Sequence, residues 1–130
     1  MKNFTIFLFF FGCCMLDHVS GAGIRIVNEL KNKKTVWMRC FSKEDVLGPT
    51  LIPNGGEFVN HFAPNYFGRT RFMCTIKQRS RFKHVLNFRA FKGKNYWDWK
   101  VREDGLYLRR SRLEITNNTT NLHKELDWIV

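Results

Sequence analysis

Four histidines, His18, His61, His84 and His123, are the side chains best suited to move a proton near neutral pH. Cleaving a phosphodiester would require two of them, or one with a carboxylate, to converge on the phosphate. His61, His84 and Lys77 are the set from which such a site could be drawn, but no spacing in the chain ties them together. His84 shares its alternation phase with Phe82 and Leu86, which suits a strand residue better than a general base. Glu103 and Asp104 are adjacent carboxylates, and Asp104 precedes Gly105 in a pattern that turn chemistry explains. A G-x-S-x-G elbow, a phosphate-cradling glycine loop, an HExxH helix and a calcium loop are all missing. The expectation is a protein that is not an enzyme, with no catalytic residue and no cofactor.

The cysteines have a different chemistry open to them. Lys2, the apolar run Phe4 to Leu16 and the small residues Ser20-Gly21-Ala22 have the layout of a signal peptide over residues 1–22. Asp17 and His18 interrupt the run before it reaches the ~20 residues a membrane span needs. Removal of this leader would take Cys13 and Cys14 with it and leave Cys40 and Cys74 in an oxidising compartment. Those two are the disulfide candidates, with a pair of buried free thiols as the alternative. They cannot form a structural zinc site alone, and no histidine stands at ligand spacing from either, so no metal site is expected. In an exported chain, Asn117 and Asn118 of Asn117-Asn118-Thr119-Thr120 are overlapping glycosylation acceptors; an unmodified polar turn is the alternative.

The chain carries 22 Lys and Arg against 11 Asp and Glu, a net +11. Lys2 and Asp17 cancel within the leader, so the mature part keeps the full charge. Such a protein is drawn to acidic partners, whether an acidic wall, a membrane or nucleic acid, and charge alone selects none of them specifically. Two clusters could carry recognition. One is Lys77, Arg79, Arg81 and Lys83, on an expected hairpin tip; the other is Arg109, Arg110 and Arg112, expected after a strand. Solvated loop charge is the plainer reading of both.

The elements that would position these residues repeat with period two. Ile24 and Ile26, then Val36, Met38 and Cys40, then Phe72, Cys74 and Ile76, alternate with the residues between them, among them Arg25, Trp37, Arg39, Phe41, Met73 and Thr75. Leu86, Phe88 and Ala90, and Trp97, Trp99 and Val101, do the same. Turn signals fall at Asn32-Lys33-Lys34, Leu47-Gly48-Pro49, Pro53-Asn54-Gly55-Gly56, Pro64-Asn65, Gly93-Lys94-Asn95 and Asp104-Gly105. This predicts an all-β chain, an antiparallel β-sandwich of about seven to eight short strands, forming one domain over residues 23–130. Cys40 and Cys74 take inward positions, so a bridge between facing strands would tie the core together. Leu122 to Val130 suits either a short helix or a final strand.

The blocks Ile26-Val27-Asn28-Glu29-Leu30, Met38 to Gly48, Phe72-Met73-Cys74 and Trp99 to Tyr107 together resemble the plant self-incompatibility S1 family, the S-protein homologues. The cysteine–Ser-Lys-acid–Leu-Gly block and the W-x-V-x-x-D-G-x-Y block are the most specific, and the resemblance spans nearly all of Ile24 to Leu108. It implies a small, basic, secreted plant protein with a β-sandwich fold and no catalysis. Members usually carry four cysteines in two disulfides; the second pair, expected before and near Trp97, is absent here, which leaves the pairing of Cys40 with Cys74 open. A few members act as ligands for a membrane receptor. The expected function is therefore a monomeric extracellular ligand that binds a cell-surface receptor through its inter-strand loops, with acidic wall or membrane concentrating it. The alternative is a cationic defence protein acting on microbial membranes, although no basic amphipathic helix is evident.

Overall fold

The computed structural model describes residues 22–62, 71–79, 83–93, 95–111 and 121–129. Within them lie nine strands: β1 (Ala22–Asn28), β2 (Val36–Phe41), β3 (Val46–Ile52), β4 (Glu57–Phe62), β5 (Arg71–Gln78), β6 (His84–Lys92), β7 (Tyr96–Arg102), β8 (Gly105–Ser111) and β9 (His123–Leu126). They form a five-stranded sheet in the order β4-β1-β7-β8-β9 and a four-stranded sheet in the order β3-β2-β5-β6. Every pairing within the sheets is antiparallel except β1 with β7, where Ile24 lies beside Trp97 and Ile26 beside Trp99 in parallel.

Successive side chains of a strand point to opposite faces, and β2 and β5 show this as a regular alternation of burial. Val36, Met38, Phe72 and Ile76 thereby reach the same core as Ile24, Ile26, Val101 and Leu106 of the other sheet. Aromatic rings fill the space between the layers. Phe88 of β6 meets Trp99 of β7 edge to face at 4.9 Å, and Phe62 of β4 stacks on Phe72 of β5 at 5.0 Å. Trp99 Nε1 donates across the core to the Ala90 carbonyl at 2.9 Å, so even the buried indole nitrogen is satisfied.

The all-β sandwich is as expected, but several details differ. Leu47-Gly48-Pro49 is not a turn: it lies inside β3, an edge strand of its sheet. An edge strand tolerates proline because the missing N–H can face away from the ladder. Cys40 and Cys74 are bonded, but β2 and β5 are neighbours in one sheet. The bridge therefore joins directly opposed residues side by side, with Cα atoms 4.0 Å apart, rather than strands facing across the core. Asp104-Gly105 is not the two-residue turn either. Arg102 pairs with Gly105, which leaves Glu103 and Asp104 as the turn. Gly105 is needed for a different reason, since a Cβ there would run into the Leu126 carbonyl of β9. The C-terminal segment forms a strand, β9. Residues 1–21 of the expected leader, Pro64-Asn65, Arg81, Arg112, Asn117 and Asn118 lie outside the described residues, whereas Ala22 already begins β1.

Candidate binding face

The proton-transfer candidates do not meet. His61 is on β4, at the edge of the five-stranded sheet, and packs edge to face on Tyr96 at 5.9 Å. His84 starts β6 in the other sheet, opposite Lys77. His123 Nε2 lies 2.7 Å from Glu125 Oε1 on β9. Among the described residues no group of three His, Cys, Asp or Glu is placed to hold a metal ion.

The cationic candidates also separate. Arg109 and Arg110 are in β8 rather than in a loop after it, and as consecutive strand residues they face opposite ways. Arg110 lays its guanidinium 5.0 Å from the Trp97 ring centroid and shields that end of the core. Arg109 pairs in register with Asp98. Around Asp98 lies a buried charged row: Arg25 Nη1 is 3.7 Å and Lys100 Nζ 3.8 Å from Asp98 Oδ2. Burial pushes the Asp98 carboxyl above its usual range, while Lys100, Arg25 and Arg109 pull it back down. Acid and base alternate on this sheet, and its charges are largely committed to one another.

The four-stranded sheet is different. None of β2, β3, β5 or β6 contains an aspartate or glutamate, whereas they contain Arg39, Arg71, Lys77, Arg89 and Lys92. Glu44 and Asp45 occupy only the loop that joins β2 to β3. Period two brings these cations outward, because the alternate positions of the same strands are taken by the core. In register across the outer face, Leu51, Trp37, Lys77 and His84 make one row. Val46, Phe41, Met73 and Arg89 make another. Each row has an aliphatic residue on β3 and an aromatic one on β2. A cation rests on each ring: Lys77 Nζ is 4.9 Å from the Trp37 centroid, and Arg39 Cζ 5.7 Å from that of Phe41. Such contacts stabilise by about 0.5–1 kcal/mol at exposed sites, enough to favour one side-chain position over many.

At one end of this face, Trp37, Lys77, Gln78, Arg79 and His84 line a cleft of about 620 Å³, a size within the range of small-ligand sites. Lys77 thus belongs to β5, not to a loop, while Arg79 and Lys83 flank the hairpin that the Lys83 carbonyl closes by accepting from the Gln78 N–H at 2.8 Å. Behind the cleft, Gln78 is buried and its Nε2 has no hydrogen-bond partner among the described residues. The sequence reading found the cations Lys77, Arg79 and Lys83 and missed the rings that hold cations in place. The available signal was that Trp37 and Phe41 fall on the water-facing phase of β2.

The five-stranded sheet's loops are tied down by polar contacts. Glu103, in the β7–β8 turn, accepts from the Lys34 ammonium at 2.8 Å and from the Lys31 N–H at 2.7 Å. These bonds hold its carboxyl below the usual carboxylate range, with the Lys34 bond the larger cause. Asp104 likewise accepts from the Tyr107 hydroxyl at 2.8 Å, which lowers the Asp104 carboxyl and raises the phenol.

The sequence profile of the family described as plant self-incompatibility protein S1 matches residues 23–128. S-protein homolog 22 and S-protein homolog 32 of Arabidopsis thaliana are each 65% identical to the chain over 130 residues, which covers 99% of it and 100% of each relative. S-protein homolog 17 of the same plant is 51% identical over 135 residues, covering 99% of both chains. A solved structure of SPH (self-incompatibility protein homologue) proteins, described as a widespread family of small, highly stable, secreted proteins from plants, matches with a TM-score of 0.57. It is 16% identical and covers 85% of this chain and 96% of that one, so it bears on the fold alone. The sandwich, the profile and the relatives agree: this chain belongs to the plant self-incompatibility protein S1 family.

Proposed function

We propose that this secreted protein is a non-catalytic extracellular ligand, and that it meets a cell-surface partner through the outer face of its four-stranded sheet. The observation that carries the reading is that exposed apolar side chains share this sheet with cations on strands that contain no aspartate or glutamate. Val46, Leu51 and Leu86 are 55%, 50% and 51% exposed on strands of this sheet, and Ile129, 52% exposed, bridges to it at His84. Apolar groups beside tryptophan and arginine have the composition of a docking surface. Membership in the S1 family supports the same role. The site residues in this reading are Lys77, Arg79 and Lys83 with Trp37, Arg39 and Phe41.

Tagged protein applied to intact cells of its source tests the reading. Retention that survives roughly 0.5 M salt, where surface charges are screened within a few ångströms, supports a specific partner. Retention that vanishes there leaves charge alone and overturns it. Turnover of RNA by the purified protein, lost on substitution of His61 or His84, would overturn the non-catalytic part. The working chain is proposed to be residues 23–130, with a glycan at Asn117 or Asn118; N-terminal sequencing and glycosidase-induced mass shifts of the exported protein check both.

A further inference from the structure

The partner's chemistry follows from how the cations are held, and the inference rests on the ligand reading just given. Lys77 and Arg39 lean on rings rooted at Trp37 and Phe41, four residues apart on β2. At about 3.3 Å per residue the two rings are about 13 Å apart along one strand. We infer that the partner docks as an extended acidic segment running along β2, with carboxylates four residues apart that meet Lys77 above Trp37 and Arg39 above Phe41. Side chains at i and i+4 of an extended segment point the same way and repeat at that same spacing. The residues flanking those carboxylates would cover Leu51 and Val46, which stand beside the two rings on β3. Because the cations already rest on aromatic faces, less side-chain freedom is lost when carboxylates arrive, which favours ions at defined places.

The other occupants fit less well. A second copy meeting this face with the same face would set cation against cation across a symmetric contact. A bilayer would take the rings first, and here each ring is covered by a charge that would have to be dehydrated before the ring entered. The cleft beside Trp37 offers Arg79 as an additional donor at the Lys77 end.

A carbodiimide, which condenses an amine and a carboxylate in contact into an amide, tests this on the full-length secreted protein bound to intact cells. The expected product joins Lys77 Nζ to an aspartate or glutamate of a captured protein that has a second carboxylate four residues away. Lys77→Arg should abolish that cross-link, because a guanidinium forms no such amide, and should weaken retention less than Lys77→Glu does, because it keeps the charge. Lys77→Glu and Arg39→Glu should each weaken retention by about tenfold, and more in combination. Cross-links spread evenly over Lys31, Lys33, Lys43 and Lys92 would overturn the inference, as would a link to a second copy of this chain. Binding to phosphatidylserine vesicles that falls in parallel with cell retention in Lys77→Glu would also overturn it, in favour of a membrane. Salt-resistant retention unaffected by either reversal would sink the inference and leave the ligand reading standing. Loss of all retention in salt by the unmodified protein would sink both.

Discussion

Asn28 is completely buried at the end of β1, and its amide satisfies three backbone groups at once. Nδ2 donates to the carbonyls of Lys34 and Ile52 at 2.9 and 3.0 Å, and Oδ1 accepts from the Leu30 N–H at 3.0 Å. Alanine there would leave buried polar groups without partners, at about 1–3 kcal/mol for each group that water cannot reach. The Lys34 carbonyl keeps the Asn54 Nδ2 donor at 3.3 Å, so Asn28→Ala should cost at least about 2 kcal/mol in urea unfolding, and Asn28→Asp should be nearly as harmful because a carboxylate cannot donate. Glu103 works from the neighbouring turn. Its carboxyl titrates below the ordinary value of 4.5, so its contribution is present above that pH and is lost as pH falls through the lower folded value. Glu103→Gln should lower Tm at neutral pH, since Lys34, with a side chain only 8% exposed, loses its charged partner. The Tm of Glu103→Gln and of the unmodified protein should converge in acid below that range, as followed by circular dichroism.

The strands are held in place by contacts between distant parts of the chain. The Cys40–Cys74 bond closes a separation of 34 residues between adjacent strands, which by loop entropy stabilises by about 3–4 kcal/mol. Replacing both cysteines with serine should lower the unfolding midpoint accordingly while leaving the far-ultraviolet spectrum of the folded state unchanged, because β2 and β5 are also paired by backbone bonds. Gly105 fixes β9 instead. In Gly105→Ala the new methyl would push against the Leu126 carbonyl and Lys124 Cε, so amide exchange should accelerate over His123–Leu126 before it does in β7. How much of this was legible in the sequence depends on burial. Strands with an alternating core face, such as β2 and β5, stand out because every second residue is apolar. β3 hides because Gly48 and Pro49 interrupt it at an edge, and β4 because its half-buried pattern lacks a regular inward phase. The parallel pairing of β1 with β7 was not legible, since nothing in either strand encodes a neighbour about seventy residues away. The cations of the candidate face were readable as charge. That they rest on Trp37 and Phe41 depends on cross-strand and same-face registry, which no single segment carries.

Across the molecule the +11 charge is unevenly arranged rather than merely large. In the five-stranded sheet Arg25 pairs with Glu57 at 2.9 Å, Arg102 with Glu29 at 2.7 Å and Lys124 with Asp127 at 2.6 Å, so these cations are engaged within the fold. The strands of the four-stranded sheet have only bases among their charged residues, and the field outside that face is correspondingly positive. A one-sided field orients a protein as it approaches an acidic surface and acts mainly on the association rate, whereas the apolar groups inside the contact act on dissociation. The two sheets should therefore respond differently to the same kind of change. Replacing Arg71, Arg89 and Lys92 with serine, well away from the Trp37 ring, should slow association with cells several-fold and flatten its salt dependence, with dissociation and Tm little changed. Replacing Arg25 and Arg102 should instead lower Tm, because Glu57, Glu29 and the buried Asp98 lose partners, while the association rate of the fraction that remains folded keeps its salt slope. Flow-cell kinetics at several ionic strengths, set beside thermal melts of the same variants, separates the two effects. An equal loss of association rate from both sets would mean that total charge, rather than its placement on one sheet, guides the encounter.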